Sequence, residues 1–215
     1  MPFRLRFVAV LVPFIASFVS IIIGFSCTLF ESPLIYGENI AGSRIKKLQL
    51  LDFPVFDVDI PIDGANFTWK ISLDFFHYYY NLTLALPYGF APQHVFEKYN
   101  FNDVPCTEFR SNMKLGQVFS LLAIFACLFT IVFVTAAIFT RAMLPFVWIF
   151  GWITIICNSI ALSTLVKVYL NGFCTDDSDD YIPPGIQYSM PSGGVVMYAF
   201  SAIMLTAAII LTSFL

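Results

Sequence analysis

Four long apolar runs, each free of Asp, Glu, Lys, Arg and His, divide this chain of 215 residues. An α-helix needs roughly 20 residues to cross a bilayer core of about 30 Å, and each run reaches that length. A charge at the bilayer centre costs at least about 2.5 kcal/mol. The absence of charged residues from these runs is therefore evidence that they lie within a membrane. The pattern predicts four transmembrane helices, at residues 7–30, 116–139, 143–166 and 193–215.

The segments between these helices differ greatly in length. Residues 140–142 form so short a connection that the second and third helices are expected to be an antiparallel hairpin. The two larger connections are residues 31–115 and residues 167–192, and residues 1–6 precede the first helix. The first apolar run exceeds the roughly 7–15 residues of a signal-peptide core, so we interpret it as a retained helix.

The first large connection alternates between apolar and polar residues, which is typical of half-buried strands. The alternation is unbroken from Phe67 to Phe75, and it recurs at residues 81–86 and 56–60, with a turn signal at Asp63-Gly64. We therefore expect an antiparallel sheet of at least three strands. Trp69 lies mid-strand on the apolar side and is predicted to be a structural anchor of this sheet.

Charge and composition agree with a membrane protein and predict its orientation. Hydrophobic residues make up 59% of the chain and charged residues 12%, whereas soluble domains carry about 25% charged residues. Arg4, Arg6 and Arg141 lie in the short segments, which hold no acid. By the positive-inside rule both termini and the hairpin face the cytosol, and the two larger loops are extracellular.

Two glycosylation sequons lie in the first of these loops, at Asn66-Phe67-Thr68 and Asn81-Leu82-Thr83. Neither has proline in the middle position, so both are acceptor sequences for N-linked glycans. Their position agrees with the orientation inferred from charge. We expect Asn66 and Asn81 to be glycosylation sites on a eukaryotic secretory route.

The five cysteines fall at different depths of the predicted topology. Cys127 and Cys157 lie within spans, where a thiol acts as a small hydrophobe. Cys106 and Cys174 lie in the first and second extracellular loops, where an oxidising exterior allows a disulfide between them. The alternatives are a Cys106–Cys27 pair or a free Cys106, because connectivity cannot be deduced from sequence.

Residues that suggest catalysis, cofactor binding or metal binding are few. His77, interpreted as a loop residue, and the isolated His94 lack the clustered carboxylates or cysteines of a metal site. No phosphate loop, nucleophile elbow or metalloprotease motif is present. We therefore predict no catalytic residues, no cofactor and no enzyme activity. Asn158 is the most strongly polar residue inside a span. The alternative function is that of a channel or transport subunit, with a pathway between subunits.

Four spans, a short inner hairpin and a β-rich first loop resemble the claudin-like architecture. At residue level the chain resembles the amastins, surface glycoproteins of kinetoplastid parasites. The similarity is carried by Val104–Arg110, the helix at 115–139, the third span and Gly193-Gly194. Asn66 stands where the family signature has its first cysteine, and no glycine follows Trp69, so the chain resembles a divergent member.

The resemblance implies a four-helix transmembrane bundle with a small antiparallel β-sheet in the first extracellular loop. It also implies a non-enzymatic, multi-pass glycoprotein of the plasma membrane, with both termini cytosolic. Its role would be parasite surface organisation or host–parasite interaction. The expected partners are the lipid bilayer and either further copies of the chain or neighbouring surface proteins, with no nucleic acid.

Overall fold

A computed structural model describes residues 3–31, 35–38, 66–85, 93–100, 107–170 and 190–214. The described residues fall into two compact units. The helix unit takes its residues from Met1–Cys27, Asn112–Lys167 and Ser192–Leu215, and the sheet unit takes its residues from Thr28–Ser111 and Val168–Pro191. The predicted strand at 56–60, the turn at Asp63-Gly64, and both Cys106 and Cys174 lie outside the described residues.

Four long α-helices account for the apolar runs, as the sequence predicts. They are α1 at Phe3–Ser26, α2 at Thr107–Ala137, α3 at Leu144–Leu170 and α4 at Gly193–Thr212, with a short 3-10 helix at Arg141–Met143 before α3. Each is long and apolar enough to cross a bilayer. In lipid the backbone must satisfy its own hydrogen bonds, and a helix does so within the segment. The predicted fold class, a four-span helical bundle with an antiparallel sheet, is confirmed.

The helix bounds differ from the predicted spans by up to nine residues. Helix α1 ends at Ser26, and Phe30, the predicted end of the first span, begins a strand. Helix α2 begins at Thr107, nine residues before the predicted span at 116. Its added first part contains Glu108, Arg110 and Lys114. A helix can continue beyond the apolar run that crosses the membrane, so these bounds describe the helices and leave the predicted spans untested.

Helices α1 and α4 approach closely because small residues line their contact. A Cβ atom built on Gly24 would lie 2.9 Å from the ring of Tyr198 and 3.0 Å from the carbonyl oxygen of Gly194. Ser17 in α1 donates a hydrogen bond to the carbonyl oxygen of Ser201, at 3.3 Å. Small residues and hydroxyl groups are typical of helix contacts in membranes, where burial away from water adds no driving force.

Phenylalanine rings join α2 to α3 on either side of the predicted hairpin. Phe133 stacks on Phe146 and Phe150, with ring centroids 5.3 Å and 5.2 Å apart. Phe129 also contacts Phe150, at 5.6 Å between centroids. These stacked and tilted arrangements are favoured by the charge distribution of aromatic rings. They explain part of the high phenylalanine content that the sequence shows.

The sheet unit contains a six-stranded antiparallel sheet. Its strands are β1 at Phe30–Glu31, β2 at Ile35–Glu38, β3 at Asn66–Leu73, β4 at His77–Ala85, β5 at Gln93–Asn100 and β6 at Met190–Pro191. The order is β5-β4-β3-β1-β6, and β2 pairs with β3 as well. The predicted strands near 67–75 and 81–86 correspond to β3 and β4. The loop interpretation of His77 is wrong, because His77 is the first residue of β4.

Candidate functional site

The hairpin between β3 and β4 is held by one aspartate at its turn. Asp74 Oδ1 accepts hydrogen bonds from the backbone N–H groups of Phe76 and His77, both at 2.6 Å. Asp74 N–H donates to the carbonyl oxygen of His77, at 3.0 Å. An aspartate side chain that bonds the backbone two and three residues on mimics a backbone turn. This turn sets the register of β3 and β4.

That register brings eleven described residues of β3, β4 and β5 onto one face, which we call the open face. All eleven are exposed or half-buried. They are Thr68, Lys70 and Ser72 of β3, His77, Tyr79, Asn81 and Thr83 of β4, and His94, Phe96, Lys98 and Asn100 of β5. Successive residues of a strand point to opposite faces, so this set takes alternate residues of each strand.

Aromatic and charged side chains of the open face contact one another. Tyr79 stacks on Phe96 with ring centroids 5.9 Å apart, and Lys98 Nζ lies 5.6 Å from the centre of the Tyr79 ring. The Tyr79 hydroxyl donates to Asp74 Oδ2 at 2.8 Å. Partial burial, followed by the hydrogen bond to Asp74 and that carboxylate's charge, raises the pKa of Tyr79 to about 12. The neutral phenol donates to the carboxylate, and the raised pKa extends the pH range over which it does so.

The polar part of the open face holds the second sequon. Asn81 is exposed and lies between Lys70 of β3 and Phe96 of β5 in the register. Lys70 Nζ forms an ion pair with Glu31 Oε2 at 2.9 Å. The hydroxyl of Thr83, the third residue of the sequon, lies 3.0 Å from His94 Nδ1. Asn81 is thus presented on the surface of a regular strand.

The other predicted sites are only partly described. Asn66 is the first residue of β3, opposite Glu38 and Ala85. The register places Trp69 between Ile35 and Leu82, and its side chain lies outside the described part of the structure. The anchor role of Trp69 and the Cys106–Cys174 disulfide stay predictions.

A second polar cluster lies inside the helix unit, around Asn158. Asn158 is fully buried, and its Nδ2 donates to the carbonyl oxygen of Tyr198 at 3.4 Å. Its Oδ1 accepts a hydrogen bond from Ser201 at 3.0 Å. Both ends of the amide therefore bind α4. Buried polar groups in helix bundles commonly serve as such interhelical contacts.

Sequence reasoning missed β5, which supplies four residues of the open face. Within Gln93–Asn100 the apolar Phe96 lies on the exposed side of the strand, and the charged Glu97 belongs to the opposite side with Val95 and Tyr99. The alternation of polar and apolar residues is therefore broken. The available signal was the enrichment in aromatic and β-branched residues.

The described residues contain no group of three or more His, Cys, Asp or Glu side chains placed to hold a metal ion.

A comparison with protein families identifies the chain. Residues 91–211, more than half of the sequence, match the model of the family described as Amastin surface glycoprotein. The chain belongs to this family. The matched range covers β5, α2, α3 and nearly all of α4. It also contains the segments that carry the similarity at residue level, from Val104–Arg110 to Gly193-Gly194, whereas the signature region around Asn66 and Trp69 lies outside it. Curated proteins gave no match.

Proposed function

We propose that this amastin is a non-enzymatic, multi-pass glycoprotein of the plasma membrane that contributes to surface organisation or host–parasite contact. The observation that carries the proposal is the open face. It presents an exposed sequon asparagine together with aromatic and basic side chains. Exposed polar surface with a few aromatic residues is suited to contacts with other molecules.

The proposed topology places both termini and the α2–α3 hairpin in the cytosol. The support is the charge asymmetry: Arg4, Arg6 and Arg141 lie in the segments assigned to the cytosol. In this topology the sheet unit faces outward, where neighbouring surface proteins, further copies of the chain or host molecules reach it. Contacts of this kind need only exposed side chains and glycans, and no cofactor.

Transport through a pathway between subunits is the alternative, and Asn158 bears on it. A polar residue that lines an ion path must exchange hydrogen bonds with the permeating species. Asn158 is instead fully buried, and both ends of its amide bind α4. These bonds support a structural role for Asn158, so we favour the surface-contact function.

The lysine distribution gives a direct test of the proposed topology. All six lysines lie between Lys46 and Lys167, and the segments assigned to the cytosol contain arginine but no lysine. Lys98 is exposed on the open face. A membrane-impermeant amine reagent applied to intact cells is expected to modify Lys98 and to leave the amino terminus unmodified, as mapped by mass spectrometry. Modification of the amino terminus without Lys98 would contradict the topology.

The contact role needs a separate measurement. Lys98→Glu reverses a charge on the open face and keeps the residue exposed, whereas Lys114→Glu changes an exposed lysine of α2. If the open face makes the contacts, Lys98→Glu weakens chemical cross-linking of the chain to neighbouring surface proteins or adhesion of the cells, and Lys114→Glu does so less. Equal effects of the two variants, at equal surface amounts, would count against the open face.

A further inference from the structure

The open face contains one large apolar side chain that the described residues leave mostly exposed. Phe96 is 64% exposed at the middle of β5, between His94 and Lys98 on the same face. Single exposed apolar residues are common on protein surfaces. Phe96 differs because the Tyr79 ring packs against it and because the Asn81 sequon lies beside it.

The register places that modification site directly opposite the ring. Asn81 pairs with Phe96 across β4 and β5, and both are exposed. Directly opposed residues of antiparallel strands have their Cβ atoms about 4.5–5.5 Å apart. An N-linked glycan begins with an N-acetylglucosamine bonded to the asparagine Nδ2. Its first sugar therefore starts within reach of the Phe96 ring.

The Tyr79 ring restrains one side of the Phe96 ring in the folded sheet. Tyr79 stacks against Phe96 with an interplanar angle of 29°. The Tyr79 hydroxyl is held by Asp74, the residue that closes the β3–β4 turn. A binding group that is already ordered loses little conformational entropy when its ligand binds.

The two sides of Asn81 differ in chemistry. On the β3 side lies Lys70, which is paired with Glu31, and on the β5 side lies the aromatic pair of Phe96 and Tyr79. A pyranose ring has a face of C–H groups, and an aromatic ring has a negative face that attracts such hydrogens. The sugar's apolar face suits the β5 side, and its hydroxyl and acetamide groups suit water and the charged pair.

We propose that Phe96 is the platform on which the first N-acetylglucosamine of the Asn81 glycan packs. The glycan then covers the exposed ring and stabilises the β4–β5 pair. This inference rests on the proposed function, because Asn81 receives a glycan only if the sheet unit is exposed to the secretory lumen. The group that we place on Phe96 is the chain's own glycan. Contact of Phe96 with a second protein is the alternative, and the test below distinguishes the two.

A double-mutant cycle on the full glycosylated chain tests the platform. Phe96→Leu removes the aromatic face, and the same change is made with Asn81→Gln. We expect Phe96→Leu to lower the folded-to-unfolded ratio by about threefold to tenfold in the glycosylated chain and by less than about twofold without the sequon. Phe96→Tyr, which keeps the ring, is expected to behave as the wild type. Phe76→Leu, at an exposed ring in the turn, is the control and is expected to act equally in both backgrounds.

Enzymatic trimming of the folded protein tests the same point without a mutation. An endoglycosidase that leaves the first N-acetylglucosamine is expected to preserve stability. An amidase that removes the whole glycan, and so converts Asn81 to Asp, is expected to lower the stability of the wild type more than that of Phe96→Leu. Ring-current shifts of that sugar's protons, seen by NMR in the trimmed wild type, are expected to disappear in Phe96→Leu.

The outcomes separate this inference from the proposed function. An occupied Asn81 with equal effects of Phe96→Leu in both backgrounds overturns the platform and leaves the glycoprotein assignment standing. An unoccupied Asn81 in a chain that reaches the surface also overturns it. Unchanged stability together with lost cell contacts in Phe96→Leu would assign the ring to a protein partner instead.

Discussion

Ser201 Oγ lies 3.0 Å from Asn158 Oδ1, and this hydrogen bond joins α4 to α3 inside the helix unit. The other end of the Asn158 amide donates to the carbonyl oxygen of Tyr198, one turn earlier on α4. Hydrogen bonds between helices in a membrane contribute about 0.6 to 2 kcal/mol each. The pair is therefore a measurable part of the bundle's stability.

Asn158→Ala is expected to destabilise the helix unit by about 1–2 kcal/mol, because it removes both bonds and leaves a gap. Thermal unfolding in detergent measures this. Ser163→Ala is the control on the same helix, because Ser163 is exposed and bonds only its own helix at Ile160. Equal stability of the two variants would show that Asn158 is not an interhelical contact.

Gly24→Ala is expected to destabilise the α1–α4 contact by about 1–3 kcal/mol, the usual cost of overpacking a tight interior. The new methyl group would meet the ring of Tyr198, which is fully buried and has little room to move. Gly193→Ala is the matched control, since a Cβ there has nothing within 4 Å. Thermal unfolding of both variants decides the point, and an unchanged transition in Gly24→Ala would contradict the close approach.

The Asp74 turn predicts a pH effect as well as a stability effect. Asp74→Ala is expected to cost about 1–3 kcal/mol, because charge-assisted hydrogen bonds to Phe76 and His77 are lost. Asp74→Asn keeps an acceptor oxygen and is expected to cost less. It is expected to lower the pKa of Tyr79 from about 12, because it removes the carboxylate's charge, but the effect of burial on that pKa remains.

The sign of the Tyr79 effect follows from its raised pKa. Its contribution to stability is fully present below the unfolded-state value of 10.0 and is lost as pH rises through about 12. Tyrosinate absorbance of the wild type minus that of Tyr79→Phe follows this titration. A Tyr79 that titrates at its ordinary pKa in the wild type would contradict the bond to Asp74.

Trp69→Ala is expected to reduce surface delivery of the chain, with retention and immature glycans. Truncation of a buried tryptophan costs about 3–5 kcal/mol, and we predict that Trp69 anchors the side of the sheet opposite the open face. Lys70→Ala is the control, because its ion pair with Glu31 is surface-exposed and worth about 0–1 kcal/mol. Surface biotinylation compares the two, and normal delivery of Trp69→Ala would contradict the anchor role.

The sequence predicted the four helices and strands β3 and β4 because each carries a simple physical pattern. Uninterrupted apolar runs and strict alternation each leave few alternatives. It did not predict β5, where Phe96 lies on the exposed side, nor the short strands β1 and β6, which are only two residues each. Such strands are specified by their pairing with distant residues, as Phe30 pairs with Leu73 and Pro191.

The candidate site was predictable in part for the same reason. The Asn81 sequon is visible in the sequence, and its position on a polar strand face follows from alternation. The pairing of Asn81 with Phe96 of β5 is not visible in the sequence, because it depends on the β4–β5 register. The role of Asp74 also depends on the turn geometry, since an isolated Asp-Phe-Phe sequence gives no strong turn signal.

The central claim is that this amastin is a glycoprotein that displays its sheet unit on the outside of the cell. Gel mobility before and after glycosidase treatment tests this claim most directly. The measurement uses surface-labelled wild-type chain and the Asn66→Gln/Asn81→Gln double variant. We expect the enzyme to increase the mobility of the wild type and to leave the double variant unchanged. A surface-labelled wild type whose mobility does not change would contradict the account.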